Sequence, residues 1–220
     1  MMDLLSANSD LVNIVLNALM TLVWLIYLHL LLTGARRQRR TNIHINRSAG
    51  NGDEAECVIT NMGAEPIYLI DIIADLSIDG ETHSTVVTDR DELGEDDLSD
   101  MLEKSNQVPL HSGEHRAVGN FRNLVWRAIN HLGLNDSQDE IDTLKLTVVV
   151  AGHENQIAAA ETEYYVVTHK DGRHKFIAQS MLTIQLRSMR KRRHIQKRME
   201  ANLRLESEQA QEREDERRAA

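Results

Sequence analysis

The sequence predicts a mainly β protein: an N-terminal transmembrane helix, an immunoglobulin-like antiparallel β-sandwich with one inserted helix, and a charged C-terminal helix. A mainly apolar run without Asp, Glu, Lys or Arg covers residues 11–33, short β-forming runs separated by turn residues follow, and a basic, helix-forming composition begins at Arg187. The expected divisions are an N-terminal tail at 1–10, the transmembrane helix at 11–33, a basic juxtamembrane linker at 34–42, the β-sandwich domain at 43–186, and the charged helix with a disordered tail at 187–220.

The apolar run carries an orientation signal. As a helix, a run of this length reaches about 34 Å, enough for a hydrocarbon core of about 30 Å. Only Asp3 and Asp10 are charged before it, whereas Arg36, Arg37 and two further arginines at 39 and 40 follow it. Because an excess of Lys and Arg marks the cytoplasmic flank, we expect a single-pass protein of the bacterial inner membrane, with its N-terminus outside and its C-terminal domain in the cytoplasm.

A cleaved signal peptide is the alternative interpretation of this run. It would place the remainder of the chain outside the cytoplasm. Signal peptides have a basic segment before an apolar core of roughly 7–15 residues, and the present sequence has acidic residues there and a longer core. The pattern therefore favours a retained anchor.

Polar residues recur on one side of the predicted span. Amide side chains are costly in lipid unless they find partners, so this side is a candidate surface for self-association or for docking to another membrane helix. The alternative is that the two asparagines lie near the outer headgroups, where water is available. The candidate association residues are Asn13, Asn17, Thr21 and Trp24.

The β domain is expected to contain about eight strands joined mostly by hairpin-length turns, which favours a two-sheet sandwich over a barrel. Asp79-Gly80 and Asp171-Gly172 are hairpin turn signals. Cys57 shares a face with Ile59 and is interpreted as a core residue; as the chain's one cysteine it forms no intrachain disulfide, which agrees with a reducing compartment. The expected strands are 43–45, 54–60, 67–78 with a bend near 74–75, 82–88, 108–110, 114–118, 144–151, 157–168 and 174–186.

One helix interrupts the strands. Apolar residues at helical spacing run from Phe121 to Leu132, with Asn120 suited to cap the N-terminus and Gly133 to end the helix. Phe121 and Trp126 are expected to be its bulky contacts with the sheets.

Two patterns resemble metal sites. His111, Glu114 and His115 match the H-x-x-E-H spacing of inverted zinc peptidases, but Gly113 and Pro109 indicate a turn, where the two histidines would not share a helix face. The acidic segment 89–104 partly matches a calcium loop, yet it lacks the fifth-position ligand and the usual final glutamate. We interpret it as a solvated loop and leave cation binding open; a catalytic metal is not expected.

Although the formal net charge of the chain is −9, a second basic block occurs at 187–198. On a helix of about 20 residues, with a thin apolar stripe of Ile195, Met199 and Leu203 and disorder after about 208, these bases suit anionic lipid headgroups or an acidic partner. A solvated helix face is the alternative, and nucleic acid is disfavoured because no aromatic residues accompany the bases. The candidate contact residues are Arg190, Lys191, Arg192, Arg193, Lys197 and Arg198.

No Walker loop, dinucleotide fingerprint or nucleophile elbow occurs in the sequence, so we expect neither an enzyme nor a cofactor. The sequence segments LVWLIYLHLLL, RRQRR and NMGAEPIYL resemble segments of uncharacterised single-pass membrane-anchored proteins of Proteobacteria. That resemblance implies location and architecture without an activity. The expected function is a membrane-anchored cytosolic scaffold or recruitment protein; the alternative is a component of an oligomeric membrane transport or channel assembly.

Overall fold

The computed structural model describes residues 2–38, 40–50, 52–89, 105–134, 141–152, 156–168 and 173–219. They form two compact units, Met1–Arg40 and Thr41–Ala220. The described helices and strands are α1 (Met2–Gln38), β1 (Ile43–Arg47), a 3-10 turn (Gly52–Glu54), β2 (Glu56–Asn61), β3 (Ile67–Ile78), β4 (Glu81–Val86), β5 (Pro109–Leu110), β6 (His115–Asn120), α2 (Phe121–Leu132), β7 (Ile141–Ala151), β8 (Ile157–Thr168), β9 (His174–Ala178), β10 (Ile184–Gln185) and α3 (Met189–Ala219).

The first unit consists of α1. Its segment Leu11–Ala35 has a mean hydropathy of 2.1, is long and apolar enough to cross a membrane, and has none of its length buried within the protein. The predicted N-terminal apolar helix is therefore confirmed.

All strand pairs among the described residues of the second unit are antiparallel. One sheet has the order β1-β2-β6, and the other has the order β10-β8-β7-β3-β4, with β5 also paired to β3 and β9 also paired to β8. The prediction of a mainly β domain built from antiparallel sheets is confirmed. The expected β3–β4 hairpin is present, and Asp79 and Gly80 take positive φ angles of 51° and 79°, as a tight hairpin turn requires.

Three details of the sequence prediction are wrong. The segment 174–186 is not one strand: β9 and β10 are separated at 179–183, where the Ser180 hydroxyl donates to the Leu182 carbonyl and Thr183 turns towards the other sheet. The irregularities in β3 fall at Leu69/Asp71 and Ser77/Ile78, not at 74–75. Helix α3 has 31 residues instead of about 20.

The two sheets are also linked through side chains. The Ile45 N–H donates to the Thr183 hydroxyl at 2.8 Å, and Gln185 exchanges hydrogen bonds with the N–H and carbonyl of Ile43 at 3.2 and 2.5 Å. These bonds satisfy backbone groups along the edge of β1 that have no neighbouring strand, which explains why 183–185 leaves the line of β9.

The main core is formed by one face of the large sheet, the small sheet and α2. Ile59 from the small sheet, Leu76 and Leu144 from the large sheet, and Phe121 from α2 belong to one buried cluster. The Phe121 ring lies 4.9 Å from the Tyr164 ring, centroid to centroid, and 4.9 Å from that of Phe176.

Helix α2 has the predicted capping residues, but the burial of Trp126 differs from the prediction. The Asn123 N–H donates to the Asn120 side chain at 2.8 Å, and Gly133 ends the helix with a left-handed φ of 69°. Trp126, expected to pack on the sheets, remains 40% exposed, whereas Arg127 is fully buried. The Arg127 guanidinium donates to the Val87 carbonyl at 2.7 Å and to the Val118 carbonyl at 3.0 Å, so backbone acceptors compensate its burial.

Candidate functional site

The outer face of the large sheet carries a row of polar residues that crosses four strands. Ser84 on β4 is in register with Asp75 on β3, Asp75 with Lys145 on β7, and Lys145 with Glu163 on β8. Residues in register point to the same side of a sheet. This side is the one that α3 covers, opposite the main core.

Helix α3 is held to this face by a small apolar cluster. Ile195 and Met199, one turn apart, are buried by the sheet, and Leu203 on the next turn is 62% exposed. The predicted stripe therefore packs through its first two members. The buried cluster consists of Ile73, Val149, Ala159, Leu186, Ile195 and Met199.

An ion cluster lies beside these apolar contacts. Asp75 is only 4% exposed, and its carboxylate lies 2.6 Å from Nη2 of Arg198 and 3.0 Å from Nζ of Lys145. Arg198 Nη2 also contacts the Ser84 hydroxyl. Burial alone would raise the pKa of Asp75, but hydrogen bonds from Arg198, Ser84 and Lys145 outweigh it and hold the pKa below its ordinary value of 3.8.

A groove of about 320 Å³ opens between the N-terminal half of α3 and strands β7 and β8. On the helix, Arg190, His194 and Arg198 recur at four-residue spacing and form one wall, because such residues share a helix face. The complete lining is Lys145, Thr147, Glu161, Leu186, Arg190, Lys191, His194, Ile195 and Arg198, a set rich in cations and hydrogen-bond donors.

The carboxylate that lines the groove is paired. Lys191 Nζ lies 3.5 Å from Glu161 Oε1, while nearby Asp75 is held by Arg198 and Lys145. Arg190 and His194 form no hydrogen bond or ion pair with another residue in the described part of the chain, and both are exposed. The groove therefore presents positive charge that its own carboxylates do not balance.

The candidate lipid-contact residues fall into two groups. Arg190, Lys191, Arg193 and Lys197 are exposed, whereas Arg192 and Arg198 are half-buried and Arg198 is engaged by Asp75.

The groove itself was not predicted from the sequence. Its sheet residues, Lys145, Thr147 and Glu161, lie about 30 to 45 positions before the start of the helix, and only the register of the strands brings them together. The spacing of His194 to Arg190 and Arg198 was the one local signal.

A second cavity, of about 170 Å³, lies at the side of the main core and is lined in part by Arg47, Tyr164, Met181 and Thr183. Tyr164 is 1% exposed, and its hydroxyl has no hydrogen-bond partner among the described residues. Burial raises the pKa of this hydroxyl, so it is neutral at physiological pH. Met181 at the mouth is 97% exposed.

The candidate association residues of α1 lie along one side of the helix. Asn13, Asn17 and Trp24 are exposed. The Thr21 hydroxyl donates to the Asn17 backbone carbonyl at 2.8 Å, so Thr21 satisfies its own donor within the helix. The side-chain amides of the two asparagines are the groups on this side that would benefit from an external partner.

Cys57 lies in the core, and the residues of the H-x-x-E-H pattern lie in a turn and at the start of a strand. Cys57 is buried, which raises the pKa of its thiol to about 12, as expected for a core residue. His111 and Glu114 belong to the turn between β5 and β6, where the Glu114 carboxylate accepts a 2.7 Å bond from the His111 N–H, and His115 starts β6. No group of three or more potential metal ligands occurs among the described residues. Residues 90–104 of the acidic segment lie outside them.

Comparisons with known proteins assign no family. No family model and no curated protein matches the chain. Among solved structures, a protein from Archaeoglobus fulgidus aligns with 68% of this chain and 100% of its own length, at 8% identity and a TM-score of 0.19.

Proposed function

We propose that this protein is a single-pass component of the bacterial inner membrane that holds a non-catalytic recruitment domain on the cytoplasmic side. In this proposal the apolar segment of α1 spans the bilayer, and the two sheets of the second unit form a sandwich of immunoglobulin-like type. The observation that carries the membrane assignment is the segment Leu11–Ala35, which has a mean hydropathy of 2.1, contains no Asp, Glu, Lys or Arg, and buries none of its length within the protein.

The arginines at 36, 37, 39 and 40 support the orientation, because basic residues are retained on the cytoplasmic side.

Recruitment is supported by an exposed apolar turn. Met181 is 97% exposed and Leu182 is 73% exposed, with Ile184 beside them at 52%. Large apolar side chains clustered in this way are typical of protein contact surfaces, and tethering to a membrane raises their effective concentration.

Reporter fusions test the location and orientation. A green fluorescent protein placed after Ala220 should fluoresce, and an alkaline phosphatase at the same position should be inactive, because the first folds in the cytoplasm and the second requires export. Replacing the four arginines with Gln should give mixed orientations, whereas replacing them with Lys should preserve the original one. Active phosphatase on the unaltered chain, or a mature protein that begins after Ala35, would refute the proposal.

Recruitment requires a separate test. A photo-crosslinking residue at Met181 should yield a discrete adduct with a cytoplasmic protein in intact cells, and the same residue at buried Ile59 should not. The adduct should disappear with Leu182→Asp in the same chain. Absence of any adduct at Met181 and at Ile184 would argue against recruitment through this turn.

A further inference from the structure

We propose that the groove between α3 and strands β7 and β8 is a binding site for a phosphate group, carried either by a small phosphorylated molecule or by a lipid headgroup. The proposal concerns the second unit alone and does not depend on the membrane orientation proposed above. It rests on the geometry of the groove and on the identity of the side chains that line it.

The size of the groove suits a bound group. Its volume of about 320 Å³ falls within the roughly 300–1,000 Å³ typical of small-molecule sites. Its walls come from different elements, α3 on one side and Lys145, Thr147 and Glu161 of the sheet on the other. A solvated helix face, by contrast, would present its charges outward without an opposing wall.

The donors of the groove match phosphate. The Arg190 guanidinium can bind two phosphate oxygens at once, and His194 lies one turn further along the same face. Lys145 has three donors and Arg198 has five, so their bonds to Asp75 leave further N–H groups available. A bound phosphate group would therefore meet donors from both walls.

The carboxylates of the site do not oppose this assignment. Glu161 is paired with Lys191, and Asp75 is paired with both Arg198 and Lys145. Each carboxylate also restrains the cations that it contacts. After these pairs are made, Arg190 and His194 are the groove residues without a hydrogen bond or ion pair to the described protein, and they face the opening.

The test uses the full chain in a non-ionic detergent and measures dissociation constants for three probes. Pyrophosphate represents a free phosphorylated molecule, short-chain phosphatidylglycerol represents an anionic headgroup, and short-chain diacylglycerol, which lacks a phosphate group, is the control. Arg190→Ala combined with His194→Ala should weaken binding of the active probe by about tenfold or more, because both free donors are lost. Thermal unfolding should be unchanged because both side chains are exposed.

The matched control is Arg193→Ala combined with Lys197→Ala. Both residues are exposed on the same helix and neither lines the groove, and this control removes at least as much positive charge as the groove variant. If binding is specific to the groove, the control should change the dissociation constants by less than about twofold. If binding is diffuse electrostatic attraction, the control should weaken binding as much as the groove variant does, or more. Preferential binding of pyrophosphate would identify a soluble ligand, and preferential binding of phosphatidylglycerol a headgroup. Failure of both anionic probes, or equal losses in the two variants, would overturn the proposal.

Discussion

Oδ1 of Asp75 lies 2.6 Å from Nη2 of Arg198, although the two residues are 123 positions apart in the chain. Asp75 lies on β3, an interior strand of the large sheet, and Arg198 lies on the third turn of α3, so this contact joins the C-terminal helix to the domain. The Asp75 carboxylate is almost completely buried, and Arg198 and Lys145 compensate its charge. The contact has two measurable consequences.

Arg198→Gln should loosen α3 and destabilise the domain by about 2–4 kcal/mol, because it leaves a buried carboxylate with one cation fewer. The expected readouts are a lower urea midpoint for the full chain in detergent and faster proteolysis within α3. Lys197→Gln is the matched control: it removes the adjacent, exposed charge and should change stability by no more than about 0.5 kcal/mol. Equal effects of the two substitutions would contradict the role assigned to the ion cluster.

Acid should weaken the same contact. The pKa of Asp75 is depressed in the folded protein below its ordinary value of 3.8, so this carboxylate stabilises the fold fully above that value. The contribution should decline as the pH falls below 3.8 and disappear as the pH passes through the lower folded pKa. Unfolding free energies measured from pH 7 downwards should show this decline in the unaltered chain, and Asp75→Asn should lack that component. If the unfolding free energies of both proteins fell identically with pH, this contribution of Asp75 would be excluded.

Cys57 should be inert in the folded protein. Its thiol is buried, with a pKa raised to about 12, so almost no thiolate exists at pH 8 and reagents have no access. Ellman's reagent should react with less than about a tenth of the thiol within the time that suffices for complete reaction in urea. Met181→Cys, at a position that is 97% exposed, supplies the control and should add one rapidly reacting thiol. Rapid reaction of Cys57 without denaturant would show that the core opens.

The membrane helix offers a test between an isolated anchor and an assembly. If the side bearing Asn13 and Asn17 mediates association, chemical cross-linking in membranes should give a defined oligomer that is lost with Asn13→Leu and Asn17→Leu. Replacing both with Gln keeps the amides and should retain most of the oligomer. A closed ring of several copies would favour the transport or channel alternative, whereas a monomer in all three proteins would indicate that the asparagines act without a helix partner.

Local patterns were sufficient for much of the architecture. The apolar helix, the full bounds of β3 and β8, the Asp79-Gly80 hairpin, the capped helix α2 and the burial of Cys57 could all be predicted, because each depends on residues close together in the sequence. The division of 174–186 into two strands could not be predicted. It depends on side-chain bonds from Thr183 and Gln185 to the distant edge of β1.

The candidate groove, likewise, could be predicted from the sequence only in part. The sequence alone identified a basic, helix-forming block and an apolar stripe at Ile195 and Met199, because charge and periodicity are local properties. Only the tertiary structure determined that Arg198 is engaged by Asp75 while Arg190 and His194 face an opening opposite Lys145. Strand register brings residues from β3, β7 and β8 beneath α3, and a pairing over such separations leaves no periodic signal in the chain.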